Sequence, residues 1–76
     1  MRNAYSFKKI LDYHQKLSKY LQSSDLPYYW YSHNTVSVGD STIYITEFGY
    51  KLRTGDSQKM TPSAEKLFKI IEEKND

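Results

Sequence analysis

Cysteine is absent from this chain, only two prolines and three glycines occur in its 76 residues, and its middle third, residues 25–50, contains no lysine or arginine. Without cysteine there are no disulfide staples, no thiol nucleophile and no cysteine-based metal site, so the fold must stand on packing alone. With only His14 and His33 as imidazoles, a zinc site would need two further converging ligands, and no short ligand spacing supplies them. No metal or other cofactor is therefore expected. No segment approaches the roughly 20 apolar residues of a membrane span, and the start lacks an apolar stretch of signal-peptide length. The chain reads as soluble and cytoplasmic, with no membrane partner. The triplets Gly39-Asp40-Ser41 and Gly55-Asp56-Ser57 lack the lysine of a phosphate loop and the further carboxylates of a calcium loop, and are standard turn residues. Nothing resembles a nucleophile elbow or an oxyanion site. The expectation is a protein that is not an enzyme.

What fills the lysine-free window is aromatic: Tyr28, Tyr29, Trp30, Tyr31, Tyr44, Phe48 and Tyr50. Charge is laid out unevenly along the chain. Residues 1–24 carry +4 from Arg2, Lys8, Lys9, Lys16 and Lys19 against Asp12, residues 25–50 carry −3, and the remainder is nearly neutral, for a net charge of +2. Aromatic and basic character are thus separated along the sequence, whereas a nucleic-acid groove interleaves them. Rings without cationic escorts suit a surface that faces protein. Lysine outnumbers arginine, and Phe, Tyr, Ile, Asn and Lys dominate over Gly, Ala, Arg and Pro. That bias points to an AT-rich gene of a low-GC bacterium or of one of its phages or mobile elements.

The periodicities predict one α+β domain. Over residues 4–23, Phe7, Ile10, Leu11, His14, Leu17, Ser18 and Leu21 share one helical face, which predicts a core-facing stripe; His14 on it reads as a hydrogen-bonded core or interface histidine. A second stripe carries Tyr5, Lys9, Tyr13, Lys16 and Tyr20. Alternation predicts strands over residues 28–33, 35–38 and 42–53, the last with a bulge at Gly49, and joined to its predecessor by the glycine-first turn Gly39-Asp40. Thr61 as cap and Pro62 as first residue predict a second helix over 62–73, with Ala64, Leu67, Phe68 and Ile71 on one face. The expected fold is a two-layer helix-strand-strand-strand-helix domain, a three-stranded antiparallel sheet with both helices packed on one face.

This order of elements resembles that of double-stranded RNA-binding domains. The resemblance covers nearly the whole chain but only as element order: where that family clusters lysines at the start of its last helix, this chain has Lys59, Met60, Thr61, Pro62 and Ser63. Nucleic-acid binding would then fall to the first helix, with Lys9, Lys16 and Lys19 on phosphates and Tyr13 or Tyr20 against bases. The reading ranked first is a small protein-binding module, encoded by a phage or mobile element, that binds and modulates a host protein such as a replication, transcription or nuclease factor, with inhibition favoured over activation. Its contact residues are Tyr29, Tyr31, Tyr44 and Phe48 on the uncovered side of the sheet, with Asp40 and Glu47 meeting a basic rim on the partner. A homodimer formed through the same aromatic patch is also expected of so small a domain.

Overall fold

The computed structural model describes residues 4–74; Arg2 and the side chain of Tyr5 lie outside the described residues. The order is α1 (Ala4–Ser23), β1 (Tyr28–Ser32), β2 (Thr35–Val38), β3 (Ser41–Thr46), β4 (Gly49–Thr54), β5 (Ser57–Thr61) and α2 (Ala64–Lys74). The strands form a five-stranded antiparallel meander in the order β1-β2-β3-β4-β5. The α+β class is as expected, but the three-stranded sheet is not: two strands were hidden, and with five the element order no longer matches that of double-stranded RNA-binding domains.

The first hidden strand comes from splitting residues 42–53. In place of a bulge at Gly49, the chain reverses through Glu47 and Phe48, and Thr46 pairs with Gly49. The Thr46 hydroxyl holds the reversal together. It accepts from the Phe48 N–H at 3.1 Å and donates to the Gly49 carbonyl at 3.0 Å, a side-chain mimic of a backbone turn. Gly49 itself has φ of +131°, a region closed to residues with a Cβ. The second hidden strand is β5. Gly55, with φ of +60°, turns β4 into it rather than ending the sheet. The irregularity of register lies instead in β1, between Trp30 and Ser32.

The expected Gly39-Asp40 turn joins β2 to β3, with Val38 opposite Ser41 and Gly39 at φ of +58°. The second helix begins at Ala64, not at Pro62, because Ser63 is its cap: the Lys66 N–H donates to the Ser63 hydroxyl at 3.2 Å. Thr61 closes β5, donating from its buried hydroxyl to the Tyr50 carbonyl.

Burial alternates along β2 and β3, and the buried apolar side chains of β2, β3 and β4 share one side. Val36, Val38, Ile43, Ile45, Tyr50 and Leu52 meet Leu17 and Leu21 of α1 and Leu67 and Ile71 of α2 in one cluster. Both helices therefore cover the same face of the sheet. Tyr50, absent from the sequence-expected core, is the largest fully buried side chain. Its hydroxyl donates to the Tyr13 carbonyl at 2.7 Å, and its ring meets that of Tyr13 edge-on. Phe7 and Leu11, expected inside, are 54% and 38% exposed. A helix of 20 residues runs to about 30 Å, while strands of five or six residues span about 17–20 Å, so the first turns of α1 lack a sheet to lie on.

Candidate binding face

The register assigns each paired strand residue to a side. Away from the helices, one cross-strand row runs Tyr29, Ser37, Thr42, Arg53, Gln58, and the next runs Thr35, Tyr44, Lys51, Met60. Tyr31 lies on the same side, its ring 5.0 Å from that of Tyr29 in an edge-to-face pair. Phe48 sits in the β3-β4 turn and is 73% exposed; Tyr29, Tyr31 and Met60 are also more than half exposed. No residue of these two rows is buried. The result is a sheet face of aromatic rings set among threonine and serine hydroxyls.

The sequence-expected contact residues fall as follows. Tyr29, Tyr31 and Tyr44 share this open face, and Phe48 borders it with Glu47 at one end of the strands. Asp40 lies in the β2-β3 turn at the opposite end. The acidic residues therefore bracket the face rather than sit on it.

The face also holds two residues that sequence reasoning missed. Lys51 stands directly opposite Tyr44, and Arg53 opposite Thr42 in the row that begins with Tyr29. Among the described residues neither is paired with a carboxylate; Arg53 donates from Nε to the Gly55 carbonyl at 3.4 Å. No open-side strand position holds Asp or Glu. Aromatic and basic side chains that are separate along the sequence are thus neighbours in space, because β4 carries Lys51 and Arg53, the first basic residues after the lysine-free window, and pairs with β3, which carries Tyr44.

The residues expected to serve nucleic acid on α1 are placed otherwise. Lys9, Tyr13, Lys16 and Lys19 line a groove of about 790 Å³ between α1 and α2, together with Glu65 and Phe68. Lys16 pairs with Asp12 at 3.3 Å. Tyr20 stacks flat on Phe68, with ring centroids 4.0 Å apart, and donates to Glu72 at 3.2 Å. Burial, then the Glu72 charge and this hydrogen bond, push the Tyr20 phenol above its usual range. Tyr13 meets Tyr50 edge-on, so one tyrosine ties α1 to the sheet and the other ties it to α2.

His14 is a structural residue, as its position on the helix implies. Its Nδ1–H donates to the His33 carbonyl at 2.7 Å and its ring lies 4.2 Å from that of Trp30, pinning α1 to the β1-β2 turn. Among the described residues no cluster of three or more His, Asp or Glu is placed to hold a metal ion, and no helix is long and apolar enough to cross a membrane. The chain matches no known protein family, and no curated protein or solved structure is similar to it.

Proposed function

We propose that this protein is a small non-enzymatic binding module, encoded by a phage or mobile element of a low-GC bacterium, which acts in the cytoplasm by covering part of a host protein with the open face of its sheet. The observation that carries this reading is the gathering of Tyr29, Tyr31, Tyr44, Phe48 and Met60 around one face that no element of the fold covers. Tyrosine and methionine are over-represented at the centres of protein interfaces, where large rings bury area at low cost in side-chain entropy. Lys51 and Arg53 refine the partner. Its surface brings carboxylates to the middle of the patch, while its basic groups meet Asp40 and Glu47 at the two ends of the strands. A host replication, transcription or nuclease factor, inhibited by occlusion, fits that description.

The Tyr44→Ala, Phe48→Ala double variant tests the assignment, because both side chains lie outside the buried core. It is expected to fold as the parent does and to lose the host protein captured from a bacterial lysate by the parent. Undiminished capture by the folded variant contradicts the assignment.

One observation favours a second reading. Tyr44 beside Lys51 is the arrangement with which sheets hold single-stranded nucleic acid, a base on the ring and a phosphate on the cation. On this reading too the site is the open face, not α1. Capture that disappears with nuclease or with high salt would select it.

A further inference from the structure

We propose that β1 is a self-pairing edge, and that two copies of the protein join through it into one continuous ten-stranded sheet with both open faces on the same side. This goes beyond the reading above, which concerns the face and not the edge.

The backbone pattern shows what the edge offers. The Gly39 N–H donates to the Pro27 carbonyl at 3.0 Å. In an antiparallel ladder the next pair along, Tyr28 with Val38, is then a non-hydrogen-bonded pair, and so is Trp30 with Val36. The N–H and C=O of Tyr28 and Trp30 consequently point away from β2, outward from the sheet. The shift of register between Trp30 and Ser32 ends this regular stretch. The outer edge of β1 is thus a three-residue template of two donors and two acceptors.

A second β1 satisfies all of it in one register. With a twofold axis at Tyr29, Tyr28 of each copy faces Trp30 of the other, which closes four backbone hydrogen bonds. The two Tyr29 residues then face one another in the closely spaced kind of pair, where cross-strand aromatic contacts are strongest. Both Tyr29 rings lie on the open side, each already edge-on to its own Tyr31, so four tyrosines meet at the junction.

Charge selects this occupant and this edge. Residues 26–32 carry no charge at all, so two copies approach without like-charge repulsion. The opposite edge, β5, has Lys59 at its centre, and two such edges would bring cations together, the usual device against edge pairing. Tyr28, Tyr29 and Tyr31 are 39%, 64% and 66% exposed in the single chain, so the edge is open to a second copy.

The test is the oligomeric state of the full chain by analytical ultracentrifugation across a concentration series, for the parent, Tyr29→Lys and Tyr29→Glu, with circular dichroism to establish folding. The parent is expected to dimerise, each variant to associate at least tenfold more weakly, and an equimolar mixture of the two to dimerise again, since opposite charges then meet across the axis. A parent that stays monomeric at every concentration overturns the proposal. So does a dimer that either variant leaves intact, or one that the mixture fails to restore. Should the variants not fold, hydrogen exchange on the parent decides: the Tyr28 and Trp30 amides are expected to slow at least tenfold as concentration rises. A dimer that leaves those two amides exchanging freely overturns the proposal as well.

Discussion

Three of the residues that decide this fold are a glycine and two tyrosines. A Cβ on Gly49 would lie 2.5 Å from the Thr61 carbonyl oxygen and 2.7 Å from the Pro62 Cα, both backbone atoms that cannot yield. Gly55, also at positive φ, has open space around it. Gly49→Ala is therefore expected to cost about 3 kcal/mol, combining backbone strain with overpacking, and Gly55→Ala only about 1 kcal/mol; urea unfolding of the two variants compares them. Similar losses at both sites would contradict the close approach of β4 to the end of β5. Tyr50 makes a pH-dependent contribution. Burial, with smaller effects of Tyr13 and Asp12, pushes its phenol far above the ordinary 10.0. Folding thus favours the neutral phenol, so its contribution is whole below pH 10 and is lost as pH rises from there toward the raised value. Tyr20, raised through its own burial and Glu72, acts in the same direction. The melting temperature should fall above pH 10, and Tyr50→Phe should flatten that fall while costing about 1 kcal/mol at neutral pH through the lost bond to the Tyr13 carbonyl. An unchanged alkaline slope in Tyr50→Phe would remove Tyr50 from this role.

At the scale of elements, α1 is a helix of two halves. Leu17 and Leu21 are fully buried, whereas Leu11 is 38% exposed. Leu21→Ala is expected to cost about 3 kcal/mol as a core cavity, and Leu11→Ala less than about 1 kcal/mol. Chemical denaturation separates the two; equal losses would place the early turns of α1 in the core. The helices and the first two hairpin strands were legible because they carry strong signals: the 3.6-residue apolar stripe of α1, and Val36 and Val38 before a Gly-Asp turn. The β3-β4 hairpin was overlooked although its signal is present. Apolar residues run at odd positions through Ile43 and Ile45 and at even positions through Tyr50 and Leu52, and a single strand cannot change phase without a bulge or a reversal. Glu47-Phe48 has no glycine or proline to mark the reversal, and Thr46 takes over that role through its hydroxyl. β5 has no comparable signal. Ser57, Gln58, Lys59 and Met60 are all exposed, and an edge strand that buries only its last residue shows no alternation to read.

For the whole molecule, the missed hairpin is what changes the account of function. Had residues 42–53 been one strand, Lys51 and Arg53 would have extended beyond Tyr44 instead of lying beside it. Folding back at Glu47-Phe48 sets Lys51 against Tyr44 and Arg53 against Thr42, so the segregation of charge along the sequence does not survive in space. The candidate tyrosines were legible as a surplus over what a core of this size can bury. Their cationic neighbours were not, because that adjacency exists only across strands. In the groove between the helices, by contrast, the lysines of α1 stand beside acidic residues, Lys16 pairing with Asp12 and Glu65 lining the same groove.

The central claim is that the open face is the contact surface. It is tested most directly by mapping amide chemical shifts of the labelled protein as the captured partner is added. The account predicts changes concentrated at Tyr29, Thr35, Ser37, Thr42, Tyr44, Lys51, Arg53 and Met60. Changes concentrated along Lys9, Lys16 and Lys19 of α1, with the strands unmoved, would contradict it.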